Sequence, residues 1–314
     1  MVDFYSIPSD ELPMTMKAFQ RRAKERGWPK INKLYHPGPS ILFATRPDGK
    51  EIRVFASVPP TSIDFSCNIA RDKLATYHLL KTANIPQPDT IDARHEDLAA
   101  FLEKHGRIVI KPTFGAHGRD IYTDVKELSD AERIIKDLAP RCEQNSVIAQ
   151  EQMTYTGNEI RAIYINGEYV VAFERIPAAI TGDGEHTVAE IIDIENKTMR
   201  TEAYKSNLAF INKVQALNYL GGKAYDIPEK GAKVRVSATC NIGMGGTVKT
   251  VDLPAEQRAV STRVAKLTEL KVVGIDFFGD KIIEINSSPS LYMPSGDDSA
   301  DLAVRKYIEY LESI

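Results

Sequence analysis

Three pairs of strand-like segments joined by tight-turn sequences constrain the fold more than any other feature. Asp48-Gly49, Asn166-Gly167 and Gly279-Asp280 each stand between two segments rich in branched and aromatic residues. Turns of this kind connect adjacent antiparallel strands, whereas parallel strands need long crossover connections. We therefore predict antiparallel sheets combined with helices, an α+β fold with several lobes, rather than a doubly wound parallel sheet.

Helices and strands are predicted from the spacing of apolar residues and from the residues that cap or break each segment. A linker is expected after Pro59-Pro60 and a capping box at Ser129 and Glu132. Residues 200–222 are predicted as a polar, partly mobile insertion that is helical or irregular. The predicted helices are 13–27, 72–83, 98–105, 129–138, 187–194, 254–270 and 300–313. The predicted strands are 40–45, 51–57, 107–111, 120–123, 147–150, 159–165, 169–175, 233–238, 247–251, 272–278 and 281–286.

The charge balance and the cysteines limit the classes of function. Forty Lys and Arg against 43 Asp and Glu give a net charge of −3, which argues against a surface built for nucleic acid or for an anionic membrane. No apolar window of about 18 residues and no secretory signal is visible, so we expect no membrane association and a cytoplasmic location. Cys67, Cys142 and Cys240 are isolated, which favours small buried side chains over a disulfide framework.

The segment from Gly274 to Ser290 carries the strongest chemical signal. Asp276 lies on one predicted strand, while Glu284 and Asn286 lie two residues apart on the next and therefore share a face. A hairpin would bring the three oxygen-bearing side chains together between apolar flanks. This hard-ligand set suits Mg²⁺, which usually keeps waters and adds substrate phosphates. The alternative is a hairpin whose acids simply face solvent.

A second segment combines a strand that ends at Lys111 with a loop that contains Gly115 and Gly118. Backbone amides in such a loop can point at phosphate oxygens, while Lys111 and Arg119 supply positive charge. The loop matches neither the Walker pattern nor G-x-G-x-x-G. The alternative is a plain turn in which His117 makes a loop hydrogen bond.

The order of these features resembles the ATP-grasp superfamily from about Asp64 to the C-terminus. A lysine at the start of a helix, a strand-lysine-glycine loop, an acidic segment and a final Asp…Glu-x-Asn follow one another. The likeness is strongest to the ATP-grasp module of cyanophycin synthetase and of the bifunctional glutathione synthetases. The segments that carry it are 70–80 with 85–88, 111–119, 175–178 with 181–190, and 241–247.

The resemblance implies an ATP-grasp fold, in which two α+β lobes grip ATP behind a short N-terminal lobe. It implies an N-terminal lobe over 1–65, a central lobe with the glycine loop over 66–149, and a C-terminal lobe with the metal site over 150–314. The additional ligase modules of the two resembled families are not expected in these 314 residues.

The resemblance also implies a role for individual residues. Lys73 and Lys111 would contact the ATP phosphates, the loop Gly115–Arg119 would close over them, Glu151–Met153 would hold adenine and Glu159 the ribose. The nucleotide set is thus Lys73, Lys111, Gly115, His117, Gly118, Arg119, Glu151, Gln152, Met153 and Glu159. Asp276, Glu284 and Asn286 would bind two Mg²⁺ ions, with Mn²⁺ as a substitute. Arg161, Asn241, Gly245 and Gly246 are candidates for stabilising the oxyanion, and Ser287, Ser288 and Ser290 for holding the acceptor.

The implied reaction is ATP-dependent amide-bond formation between an amino-acid or peptide carboxylate and an amine, through an acylphosphate. Lysines and metal ions supply the alignment and charge neutralisation that phosphoryl transfer needs. The resemblance further implies a homodimer or homotetramer and no nucleic-acid partner. Two alternatives remain open at this point: a small-molecule kinase on the same scaffold, and a nucleotide-binding module without chemistry.

Four positions depart from the pattern. Many ATP-grasp ligases have an arginine two residues before the metal aspartate, where this chain has Gly274, so another residue must stabilise the oxyanion. Phe114, Asp120 and Ser290 also differ from the residues usual at their positions. The last three affect the expected identity of the substrate more than the expected use of ATP.

Overall fold

The computed structural model describes residues 1–34, 40–115, 120–154, 157–199, 210–237, 240, 242 and 245–314. Within these ranges, every strand pairing is antiparallel, and helices are interspersed among the sheets. The predicted α+β class is therefore confirmed. The described ranges contain no helix that is both long enough and apolar enough to cross a membrane.

The strands form four sheets. Their bounds are β1 Val2–Asp3, β2 Lys30–Leu34, β3 Ile41–Thr45, β4 Glu51–Phe55, β5 Thr90–Asp92, β6 Ile108–Pro112, β7 Tyr122–Val125, β8 Val147–Glu151, β9 Glu159–Ile165, β10 Glu168–Ile176, β11 Ala179–Thr181, β12 Lys233–Arg235, β13 Thr247–Val251, β14 Val272–Phe278 and β15 Lys281–Asn286. The sheet orders are β1-β2-β3-β4, β5-β8-β6-β7, β11-β12 and β13-β10-β9-β14-β15.

The α-helices pack on these sheets and connect them. Their bounds are α1 Met14–Glu25, α2 Asp64–Arg71, α3 Lys73–Thr82, α4 Leu98–His105, α5 Leu128–Leu138, α6 Val188–Met199, α7 Lys213–Leu220, α8 Ala255–Thr268 and α9 Leu302–Ser313. Helix α3 begins where the sequence places it, because the Asp72 carboxylate accepts hydrogen bonds from the backbone amides of Leu74 and Ala75, both at 2.9 Å.

The N-terminal sheet does not have a separate core. Phe19 on α1 and Leu42 on β3 belong to one buried cluster that also includes Phe173 on β10 and Tyr307 on α9. Burial of this apolar surface therefore ties the first part of the chain to the five-stranded sheet. The predicted N-terminal lobe is packed directly onto the region that carries the acidic hairpin, which we define as strands β14 and β15.

One face of the five-stranded sheet is apolar at one end of its strands and charged at the other. On β9, Ile163 and Ile165 lie in the shared core, whereas Glu159 and Arg161 continue the same face with charged groups. The opposite face is apolar and packs into a second buried cluster, which includes Val264 of α8. The charged end of the first face is therefore set into a rigid, well-packed sheet.

Two local predictions are corrected, and a third can be compared with the structure in part. Residues 64–71, predicted as part of a linker, form α2, a helix of only eight residues. Helix α5 begins at Leu128, so Ser129 lies inside the helix and is not its N-cap. The N-cap residue is Glu127, whose side chain makes no capping hydrogen bond. The predicted insertion, expected to be helical or irregular, contains helix α7, while residues 200–209 of it lie outside the described residues.

Candidate functional site

Three charged side chains form a row across neighbouring strands at the charged end of the sheet. In the strand register, Asp276 on β14 lies directly opposite Arg161 on β9 and directly opposite Glu284 on β15. Asn286 pairs with Gly274, two residues from Asp276, and so shares the same face. The structure thus brings Asp276, Glu284 and Asn286 together as the hairpin pattern predicts.

Asp276 is fully buried and is held by two arginines. Arg161 donates hydrogen bonds from Nε and Nη2 to its two carboxylate oxygens, both at 2.6 Å, and Arg175 donates from Nη2 at 3.0 Å. Burial alone would raise the pKa of Asp276, but the charges of Arg161 and Arg175 hold it below its ordinary value. The carboxylate is therefore ionised inside the sheet because two guanidinium groups neutralise it.

Sequence reasoning did not assign a role to Arg175. It lies opposite Glu159 in the strand register, pairs with that carboxylate, and reaches Asp276 as well. The signal was present in the alternation of β10, which places Arg175 on the same face as the charged row. Glu159, predicted to hold the ribose, is nearly buried and paired with an arginine instead of facing open space.

The two predicted phosphate lysines converge near Glu284. Lys73 Nζ donates a hydrogen bond to the Gly115 carbonyl at 2.8 Å and lies 3.6 Å from Glu284 Oε1. Lys111 Nζ donates to Gln150 Oε1 at 2.8 Å. Burial and the nearby charge of Lys73 lower the pKa of Lys111 to about 8. Lys73 thus lies against the acidic hairpin, and Lys111 is close enough for the charges of Lys73 and Glu284 to act on its pKa.

The predicted glycine loop is only partly within the described residues. Gly115 is described, and its carbonyl contacts Lys73. His117, Gly118 and Arg119 lie outside the described residues, as does Asn241. Their predicted roles in closing over phosphate and in stabilising an oxyanion stay predictions.

Glu151 uses its side chain to join two sheets. Lys281 Nζ lies 2.9 Å and 2.8 Å from its two carboxylate oxygens, and the backbone amide of Asp89 donates to Oε2 at 3.1 Å. Lys281, at the start of β15, was not identified from the sequence. The backbone amides of Glu151 and Gln152 also donate within the chain, to the carbonyls of Asp89 at 2.8 Å and Arg107 at 3.4 Å. The predicted role of Glu151–Met153 in holding adenine stays a prediction.

The serine loop, which we define as residues 287–292, follows the acidic hairpin directly. The Ser288 hydroxyl lies 3.1 Å from that of Ser57, and the Ser290 hydroxyl lies 3.0 Å from that of Thr15. The thiol of Cys67 interacts with Ser287. Of the three predicted acceptor-binding serines, Ser288 and Ser290 therefore contact the N-terminal part of the chain, and Ser287 contacts α2.

Gly274 has a steric reason to be glycine. A Cβ atom there would lie 2.8 Å from Cβ of Pro289 and 3.6 Å from Cδ of Arg161. An arginine at this position would have to displace the serine loop. A guanidinium beside Asp276 comes from Arg161 on the neighbouring strand, and its predicted role at the oxyanion stays a prediction.

Gly245 and Gly246 are both buried, and close packing around Gly245 gives a steric reason for a glycine there. A Cβ atom on Gly245 would lie 2.8 Å from Cγ1 of Ile211, and its backbone has a φ of +92°, which favours glycine. Gly246 is buried immediately before β13. A close approach of this kind explains the glycine without chemistry, and the catalytic role of both residues stays a prediction.

The donor set fits a magnesium–nucleotide complex. Two carboxylates and one amide oxygen share a face, and within the described ranges no three His, Cys, Asp or Glu side chains cluster closely enough to hold a metal by themselves. Asp276 Oδ2 accepts from Arg161, Arg175 and Asn286, whereas Oδ1 accepts one bond and retains a lone pair. Mg²⁺ commonly combines one or two carboxylates with waters and substrate phosphates, and this face provides the carboxylates.

Two family profiles match the chain in order. A profile described as prokaryotic glutathione synthetase, ATP-grasp domain, matches residues 72–204, and a RimK-like ATP-grasp domain matches residues 232–311. Cyanophycin synthetase from Crocosphaera subtropica is 32% identical over 262 residues, which cover 77% of this chain and 30% of that protein. The glutathione biosynthesis bifunctional protein of Clostridium perfringens is 29% identical over 279 residues, which cover 80% of this chain and 35% of that protein.

The fold has a solved counterpart. The crystal structure of a bifunctional glutathione synthetase from Pasteurella multocida matches 97% of this chain and 44% of its own, with a TM-score of 0.62 and 20% sequence identity. The chain spans about a third of the length of the curated relatives named above. The two domain profiles, the fold and the order of the lysine and acidic segments together place this chain in the ATP-grasp superfamily.

Proposed function

We propose that this protein is an ADP-forming ligase that joins the carboxylate of an amino acid or short peptide to an amine. One observation carries the proposal: Lys73 and Lys111 converge on the acidic hairpin, where Glu284 and Asp276 face the same side of the sheet. Cations on one side and hard oxygen donors on the other can bind a nucleoside triphosphate together with its metal ion. The named relatives make amide bonds, which supports the same reaction here.

The first step transfers the γ-phosphoryl group. A substrate carboxylate oxygen attacks the γ-phosphorus, the bond to the β–γ bridging oxygen breaks, and ADP leaves with that oxygen. Lys73 and Lys111 hold the phosphates in line for this attack. Bound Mg²⁺, held by Glu284, Asn286 and one oxygen of Asp276, would neutralise the charge that spreads over the transferred group.

The second step forms the amide. The amine nitrogen attacks the acyl carbon, the tetrahedral oxyanion collapses, the amine loses a proton, and inorganic phosphate leaves. Arg161 uses Nε and Nη2 on Asp276 and retains Nη1 as a donor for that oxyanion. Because Asp276 fixes the guanidinium in a buried position, the donor is already oriented before the charge develops.

The test is an ATP-consumption screen over pairs of amino acids and dipeptides, with the products identified by mass spectrometry. We expect ADP and phosphate release that depends on an amine, and a hydroxamate when hydroxylamine replaces the amine. ATP consumption that no amine in the panel stimulates would contradict the proposal. A phosphorylated product that survives hydroxylamine would favour the kinase alternative.

A matched pair of variants ties the activity to this site. Glu284→Gln removes the charge of a partly exposed carboxylate beside Lys73, whereas Glu309→Gln does the same in an exposed helix pair with Lys306. We expect the first to lose at least about a hundredfold in turnover, as removal of a charged transition-state contact does, and the second to stay at the wild-type rate.

A further inference from the structure

The serine loop is fastened to the N-terminal part of the chain by two hydroxyl side chains. Thr15 lies in the first turn of α1, and Ser57 follows β4. Both are far from the serine loop in sequence and contact it in the fold. They belong to the part of the chain that precedes the two matched ATP-grasp domains.

Thr15 Oγ1 contacts three groups of the serine loop. It lies 3.0 Å from Ser290 Oγ and accepts hydrogen bonds from the backbone amides of Leu291 at 3.2 Å and Tyr292 at 3.3 Å. Leu291 is buried in the shared core. Because one hydroxyl satisfies two consecutive amides, its removal would leave both without that acceptor.

Ser57 holds the other half of the loop. Its buried hydroxyl donates to the Pro289 carbonyl at 2.8 Å and lies 3.1 Å from Ser288 Oγ. On the opposite side, Pro289 packs against the bare backbone of Gly274, two residues before Asp276. The loop is thus clamped between the N-terminal residues and the strand that carries the charged row.

We propose that Thr15 and Ser57 are positioning residues that fix the serine loop and so set where the amine acceptor is held. This inference rests on the proposed ligase function. The hydroxyls of Ser288 and Ser290 are already engaged with Ser57 and Thr15, so the surface that the loop presents depends on these two anchors. The nucleotide contacts arise from Lys73 and Lys111, which neither anchor touches.

Amide hydrogen exchange tests the anchoring without any substrate. Thr15→Val keeps the side-chain shape and removes the hydroxyl, so we expect exchange in the peptide spanning 287–292 to speed up at least about tenfold, the effect of losing protecting hydrogen bonds. Thr15→Ser keeps the hydroxyl, so the same peptide should exchange at the wild-type rate. Thr61→Val is the matched control, because it removes a hydroxyl bonded to Tyr310 at 2.6 Å elsewhere on the same lobe. Unchanged exchange in Thr15→Val would overturn the inference.

Steady-state kinetics tests the consequence for the acceptor. With a mixture of protein amino acids as the probe, we expect Thr15→Val and Ser57→Ala each to raise the half-saturating concentration about tenfold, with the KM for Mg·ATP within about twofold of wild type. Equal changes in both constants would indicate a general structural effect and overturn the positioning role. If the wild-type protein shows no amine-dependent ADP release, the proposed function fails, while the exchange result still reports on the anchors.

Discussion

Arg161 and Asp276 form a buried two-point ion pair across β9 and β14, in which both hydrogen bonds are 2.6 Å long. Arg175 adds a third hydrogen bond to the same carboxylate. Removing one partner of a buried pair leaves the other charge uncompensated, which is far more costly than losing an exposed pair. Asp276 therefore serves the stability of the sheet in addition to its proposed role in the chemistry of the site.

Asp276→Asn is expected to lower the free energy of unfolding by about 3–5 kcal/mol, because it leaves the buried guanidinium of Arg161 without its counter-ion. Glu284→Gln should lower it by less than about 1 kcal/mol, since Glu284 is partly exposed and 3.6 Å from Lys73. Urea unfolding followed by circular dichroism measures both. Equal losses in the two variants would contradict the structural role of the Arg161–Asp276 pair.

Nucleotide affinity is expected to fall at alkaline pH because of Lys111. Burial and the charge of Lys73 lower its pKa to about 8, so the side chain is charged below that pH and loses its charge above it. Phosphate binding favours the charged form, so the Kd for Mg·AMP-PNP should be constant below pH 7 and rise about tenfold between pH 7 and pH 9. Isothermal titration calorimetry across this range measures the change.

Lys111→Arg supplies the control for this pH dependence. Arginine stays protonated throughout the range, so the Kd of that variant should change much less between pH 7 and pH 9. A slope equal to that of the wild-type protein would assign the titration to a group other than Lys111.

The fold could be predicted from local signals to a large extent. The tight turn at Gly279-Asp280 and the alternation around it predicted the acidic hairpin, and β14 and β15 have the predicted bounds. Helix α2 was not predicted although its apolar residues have a helical spacing. A helix of eight residues is marginal by itself and depends on packing, here including contacts with β15. The shared core of the N-terminal sheet likewise depends on pairs such as Phe19 and Tyr307, whose contact no local pattern shows.

The residue types of the candidate site could be predicted from the sequence. The contacts that each of these residues makes could be predicted less well. The hairpin pattern identified Asp276, Glu284 and Asn286, but the occupation of Asp276 by Arg161 and Arg175 follows from the order of strands in the sheet. The Lys281–Glu151 contact joins residues 130 positions apart and likewise depends on how two sheets meet. Register within a hairpin is a local property, whereas strand order and sheet packing are set by the whole core.

Lys281→Met is expected to weaken nucleotide binding modestly. The Lys281–Glu151 pair links β15 to the end of β8, where the backbone of Glu151–Met153 is proposed to hold adenine. A partly exposed pair of this kind contributes up to about 1 kcal/mol, so we expect the Kd for Mg·AMP-PNP to rise about two- to fivefold. Lys306→Met, which breaks an exposed pair with Glu309 on α9, should leave the Kd unchanged. Equal Kd values in the two variants would show that the Lys281–Glu151 pair does not contribute to nucleotide binding.

Gly274→Ala is expected to destabilise the protein, although alanine adds only one methyl group. The new Cβ would lie 2.8 Å from Cβ of Pro289, closer than two carbon atoms can approach without movement. The buried proline must therefore shift, at a cost of about 1–3 kcal/mol in the free energy of unfolding, as for other overpacked positions. Gly222→Ala is the matched control, because a Cβ there meets no atom within 4 Å. Urea unfolding of both variants measures the difference, and a stability loss at Gly222 as large as that at Gly274 would show that the contact with Pro289 is not its cause.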